Sequence, residues 1–151
     1  AICTGARRSE LLNLCWSQIE FKENFAEAHL DNTKNRESRT LVIVGEAVEE
    51  LKAWKAKRDK VTDLVFPAPN NPVKPFNAWR RYWDQALEKA DIDNFRFHDL
   101  RHTVAPYLTQ AGIPAITVAA ILGHKSLQMT KRYSHLAVEH QREALEKVWS
   151  N

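Results

Sequence analysis

Cysteine is scarce in this chain of 151 residues: Cys3 and Cys15 are the only two. They fall in one short segment and read as small core residues in a reducing compartment, not as a disulfide framework. Long apolar runs are missing as well. No stretch approaches the roughly 18 residues a membrane helix needs. The opening Ala1-Ile2-Cys3-Thr4-Gly5-Ala6-Arg7-Arg8 has no basic region followed by an apolar one, so it does not read as a signal peptide. Neither sign of charge prevails: 22 Lys and Arg against 19 Asp and Glu leave +3, a weak lean toward a polyanionic partner. Repeats and low-complexity tracts are absent. An initiator Met is lacking and the first residue is apolar, which points to a piece of something longer. With 44% hydrophobic and 27% charged residues, the composition is that of one soluble folded domain over 1–151.

Periodicity predicts a mainly helical domain with one small antiparallel β-sheet, an α+β fold. Ser9 to Leu14 reads as a short helix closed by Trp16. Ala26 to Leu30 and Arg39 to Val44 read as strands, joined by a polar run, Asp31 to Ser38, that makes a hairpin with a basic tip. Glu46 to Arg58 is helical. Phe66-Pro67-Ala68-Pro69-Asn70-Asn71-Pro72 reads as a loop without regular structure. Phe76 to Ala90 is a helix whose Trp79, Tyr82, Trp83 and Leu87 form a core stripe. His98 to Gln110 is a helix ended by Gly112 and Pro114, and Ala115 to Leu122 is one ended by Gly123. Ser126 caps a helix running through Tyr133, and Val138 to Trp149 forms the last.

The ionisable residues near helix starts and turns form a set suited to a phosphate diester. Arg7 opens the first helix and Lys34 sits at the hairpin tip. His98 and Arg101 share a helix face, His124 follows Leu122-Gly123, and Tyr133 lies nine residues later. Arginine forks clamp nonbridging oxygens, a lysine on a hairpin reaches a leaving oxygen, and histidine moves protons near neutral pH. No carboxylate set for Mg²⁺ accompanies them, so side chains must supply the positive charge.

Thr4-Gly5-Ala6-Arg7-Arg8-Ser9-Glu10-Leu11 resembles the first box of the tyrosine recombinases, the phage-integrase family. His98-Asp99-Leu100-Arg101-His102-Thr103, Leu122-Gly123-His124 and Thr130-Lys131-Arg132-Tyr133-Ser134-His135 are similar to its second box, and Thr33-Lys34-Asn35 to its lysine hairpin. The motifs keep the family's order and span Thr4 to His135. The resemblance implies a catalytic-domain fold and a nucleophile, Tyr133, that forms a 3′-phosphotyrosyl bond. It implies that Arg7 and Arg101 bind the scissile phosphate, that His98 is the base, and that Lys34 protonates the leaving 5′ oxygen. His124 would hydrogen-bond the phosphate or the nucleophile region, and Glu10 would brace the pocket. It implies no metal, no cofactor and no ATP, because the covalent intermediate conserves the bond energy.

The same resemblance implies partners and a place of action. The partners are double-stranded DNA recombination sites and a homo-tetramer of full-length protomers, with the isolated piece a monomer; the place is the bacterial cytoplasm at the nucleoid, with no membrane. An N-terminal core-binding domain is expected outside this piece. Arg36, Lys125, Lys131 and Arg132 are candidate DNA contacts, with Lys34 and Arg36 able to trade roles; Lys74, Arg80 and Arg81 are candidates for the backbone. Arg8, His29, His135 and His140 read as surface residues, His102 as structural, and Tyr82 and Tyr107 as core. Pro106 departs from the family pattern and predicts that its helix is kinked or starts late. The rivals are a type IB topoisomerase and a DNA-binding module that has lost catalysis.

Overall fold

The computed structural model describes residues 1–30, 38–58, 61–124, 126, 128–131, 142 and 145–146. The chain opens with a turn into α1 (Arg8–Leu12), then a 3-10 turn at Trp16–Gln18 leads into β1 (Ile19–Phe21). Strands β2 (Phe25–Leu30) and β3 (Arg39–Val44) complete an antiparallel sheet of order β1-β2-β3, with Ile19 opposite Ala28 and Ala28 opposite Leu41. Alternation sends Ile19, Ala26, Ala28, Leu30, Leu41 and Ile43 to one face, where they join Leu14, Trp16, Val65 and Val48 of α2 (Glu46–Lys57) in the first core. Thr40, Val42 and Val44 face outward. β1 was not expected from the sequence, since three residues are too few for alternation to register.

The Pro- and Asn-rich stretch is not an irregular loop. Pro67–Ala68 (β4) and Asn71–Pro75 (β5) pair antiparallel with a bulge at Pro67/Ala68. A two-stranded ribbon has only edge strands, which tolerate prolines because half their N–H groups need no partner. Helix α3 (Trp79–Ala90) follows and buries none of its residues fully. Its Trp79 and Trp83 meet Phe97 at 5.6 and 5.2 Å between ring centroids. The predicted core stripe is therefore a half-buried aromatic seam, and Tyr82 stands 57% exposed.

Helices α4 (Asp99–Gln110) and α5 (Ala115–Leu122) form the second core from Val104, Ala105, Val118 and Leu122. The buried stripe on α4 is Arg101, Val104, Ala105 and Thr109. Tyr107 lies off that stripe and is exposed, which corrects its expected core placement. Pro106 does not delay or interrupt α4, which starts directly after His98 and runs to Gln110. Both helices end where glycine takes positive φ: Gly112 and Gly123. A four-residue α6 (Gln128–Lys131) follows, and Arg142, Leu145 and Glu146 are helical. Cys3 is exposed and Cys15 half-buried, both as free thiols, so neither is the core residue expected; Cys3 lies in the opening turn, outside either core. No helix among the described residues is long and apolar enough to cross a membrane.

Candidate functional site

The site is built on the C-terminal turn of α5. A helix end leaves its last carbonyls without intrahelical donors and carries partial negative charge. Here the backbone takes two of them: His124 N–H donates to the Ala119 carbonyl at 2.9 Å and Gly123 N–H to Ala120 at 3.0 Å. Three arginines from three other elements take the next three. Arg39 Nη1 donates to the Ile121 carbonyl at 2.8 Å, Arg101 Nη2 to that of Leu122, and Arg7 Nη2 to that of Gly123 at 2.9 Å.

Each arginine has a second anchor. Arg101, 5% exposed, also donates from Nη1 to the Gly5 carbonyl. Gly5 sits at φ +60°, where a Cβ would lie 2.6 Å from Leu122 Cδ2, so both backbone conformation and space demand glycine. Arg7 precedes α1 in extended conformation; its N–H reaches Glu10 Oε2 at 2.6 Å and its Nη1 reaches Glu10 Oε1 at 2.8 Å. Arg39 Nη2 meets the same carboxylate at Oε2, 2.7 Å away.

The Glu10 side chain is 7% exposed. Burial alone would raise its pKa; the hydrogen bond from Arg39, the Arg7 amide, the Arg39 charge and the Arg7 guanidinium hydrogen bond outweigh burial and hold it below the ordinary value. Three guanidiniums and one carboxylate leave two formal positive charges on this turn. Such a cluster suits an anion with two or more oxygens to share.

The histidines flank the arginines. His98 caps α4, and its ring meets His102 edge-on at 4.8 Å. Burial, then the neighbouring His102 and Arg101, pull the His98 pKa below 6.5; Arg7 adds to this and Asp99 opposes it. A neutral imidazole is a proton acceptor. His124 Nδ1 pairs with Thr130 Oγ1 at 2.9 Å, and Thr130 is buried in α6. Arg8 stacks on Trp79, 4.4 Å from the ring centroid, and so ties α3 to the first box.

The structure thus brings together Arg7, Glu10, Arg101, His98 and His124. Lys34, Arg36, Lys125, Arg132 and Tyr133 lie outside the described residues, as does the side chain of Lys131. Arg80, Arg81 and Lys74 are exposed and His29 lies on the outer sheet face. Among the described residues, one group has metal-ligating atoms within 4.8 Å of one another, Glu20, Glu27 and His29, and it shares no residue with the arginine turn.

Two members of the site were not assigned from the sequence. Thr130 carries no signal beyond its place in a motif. Arg39 does carry one: it has the same strand parity as the inward-facing Leu41 and Ile43, so alternation places its charge on the buried side.

Residues 1–140 match the phage integrase family, and the chain belongs to it. It is 35% identical to the integrase of Salmonella phage P22 over 93% of this chain and 38% of that protein. It is 31% identical to the tyrosine recombinase XerA of Saccharolobus solfataricus, over 98% of this chain and 47% of that protein. The chain therefore spans less than half the length of these two curated relatives. Among solved structures, the catalytic domain of bacteriophage HP1 integrase is 28% identical with a TM-score of 0.65, over 96% of this chain and 76% of that one.

Proposed function

We propose that this chain is the catalytic domain of a tyrosine-type site-specific DNA recombinase, with its core-binding domain elsewhere in a longer protein. The observation that carries the reading is the convergence of Arg7, Arg39 and Arg101 on one helix end, with Glu10 alone among the described residues to offset them. Attack on a phosphodiester places a second negative charge on the phosphoryl oxygens. A preorganised cluster with two net positive charges stabilises that state more than the ground state.

In this reading Tyr133 Oη forms the bond to phosphorus while the bond to the 5′ oxygen breaks. Free tyrosine titrates near 10, so its proton needs an acceptor, and neutral His98 is that acceptor. Lys34 donates the proton that the leaving 5′ oxygen takes up. Arg7 and Arg101 hold the nonbridging oxygens, and His124, oriented through Thr130, adds a hydrogen bond on the phosphate or beside the nucleophile. The phosphotyrosyl bond keeps the free energy of the bond it replaces, so rejoining runs without ATP. Exposed Lys74, Arg80 and Arg81, with Arg36, Lys125, Lys131 and Arg132, supply DNA backbone contacts. The full-length protein acts as a homo-tetramer on paired duplex sites in the nucleoid of its host.

Covalent trapping tests this. The chain is mixed with nicked suicide duplexes from a random-sequence pool, and denaturing gels reveal any protein–DNA adduct. An adduct that disappears in Tyr133→Phe supports the reading, and sequencing of the captured strand defines the site. Retained duplex binding without any adduct turns the assignment toward a module that has lost catalysis.

A further inference from the structure

We propose that Arg39 is a positioning residue of the phosphate site: it fixes Glu10, and through it Arg7, against the turn that carries His124. The inference rests on the recombinase reading above and adds to it a residue that the sequence motifs leave out.

Arg39 opens β3, where a charged residue beside a polar hairpin is ordinarily solvated. Its side chain is instead 12% exposed. Its fork spans two elements at once, with Nη1 on the Ile121 carbonyl of α5 and Nη2 on Glu10 of α1. Glu10 places one oxygen on Arg39 and the other on Arg7 Nη1, so the carboxylate is held from both sides and cannot turn without releasing one guanidinium. Arg7 in turn reaches the Gly123 carbonyl, one peptide before His124. The ring of contacts runs from Arg39 through Glu10 and Arg7 to Gly123, and returns to Arg39 through Ile121.

Gly123 gives a second, independent sign that the turn is shaped around this side chain. A Cβ there would stand 2.8 Å from Arg39 Nη1 and 2.9 Å from its Cδ, so the guanidinium lies against bare backbone. Both Nη atoms already serve protein acceptors, and Nε is buried with no hydrogen-bond partner among the described residues. Arg39 is the more enclosed of the two, 12% exposed against 30% for Arg7, and this separates its role from that of Arg7. A lysine keeps the charge but presents a point donor that cannot bridge two acceptors in a fixed plane.

The experiment uses a duplex captured in the pool selection above, prepared with an ordinary scissile phosphate and with a methylphosphonate there. The neutral methylphosphonate removes the charge that the arginines serve. Single-turnover adduct formation, duplex affinity and melting are measured for the unsubstituted chain, R39K and R39Q. On the phosphate, R39K is expected to slow adduct formation about tenfold or more while duplex affinity stays within about twofold. On the methylphosphonate, the same variant is expected within about threefold of the unsubstituted chain. R39Q should follow with a larger loss on phosphate; should it fail to melt cooperatively, R39K alone decides. An unchanged R39K rate on phosphate overturns the proposal. So does an equal loss on both duplexes, which marks a general structural role. If the unsubstituted chain forms no Tyr133-dependent adduct on either duplex, the recombinase reading itself falls and this inference falls with it.

Discussion

Glu10 is one carboxylate serving two guanidiniums and an amide N–H, and its value to the fold depends on its charge. Its folded pKa lies below 4.5, so the unfolded chain takes up the proton first as pH falls. The stability it contributes is fully present above about 4.5 and is lost as pH drops through the lower folded value. Glu10→Gln keeps the shape and removes the charge. Because a buried cation is left short of its partner, this variant should lose about 2–3 kcal/mol, checked by urea unfolding at pH 7. The gap between variant and parent should narrow as the same measurement is moved toward pH 3. Glu10 and its arginine at position 7 were legible in the sequence because they sit in one motif. Arg39 was not assigned, since a cation after a basic hairpin tip looks like one more solvated charge; only strand parity marked it as buried.

At the scale of elements, α2, α4 and α5 were readable to within a residue, while α3 starts at Trp79, three residues later than expected; α4 and α5 end at the glycines that the sequence marked. What escaped was short or chemically disguised. β1 spans three residues, and the β4–β5 ribbon is built from prolines that argue locally against strand. Tyr82 and Tyr107 looked like core because they were read on apolar helix faces, yet the turn of each helix carries them outward. Pro106 is the opposite case: a residue expected to disturb a helix that stays continuous around it. The proline still removes the N–H that would reach the His102 carbonyl, so the continuous helix carries that loss as a cost in stability. Pro106→Ser restores the donor without needing the helix to re-form. We expect a gain of about 1–2 kcal/mol, which for a domain of this size raises Tm by about 2–8 °C in a calorimetric scan. An unchanged or lower Tm would show that α4 has adapted fully to the proline.

The described residues form two cores, one under the three-stranded sheet and one between α4 and α5. The same three arginines are also the stitches between them. Arg7 and Arg39 reach from the sheet side to Gly123 and Ile121, and Arg101 reaches back from α4 to Gly5. Gly5 lies between the cores, beside Leu122 and Val104 of the second and next to Ala6 of the first. A site placed at such a seam is preorganised only while the seam is shut, which links stability to chemistry in one place. Gly5→Ala tests the link. The new methyl would stand 2.6 Å from Leu122 Cδ2 in a backbone conformation that L-residues avoid. Strain and overpacking together should cost about 2–4 kcal/mol. Because the Gly5 carbonyl anchors Arg101, the shift needed to relieve the clash moves a guanidinium that we propose binds the phosphate. Adduct formation should therefore fall at temperatures well below the lowered Tm, where the chain is still folded by circular dichroism. If activity instead tracks the folded fraction alone, the two cores are held together by apolar contact and the arginine stitches are consequences of that contact, not its cause.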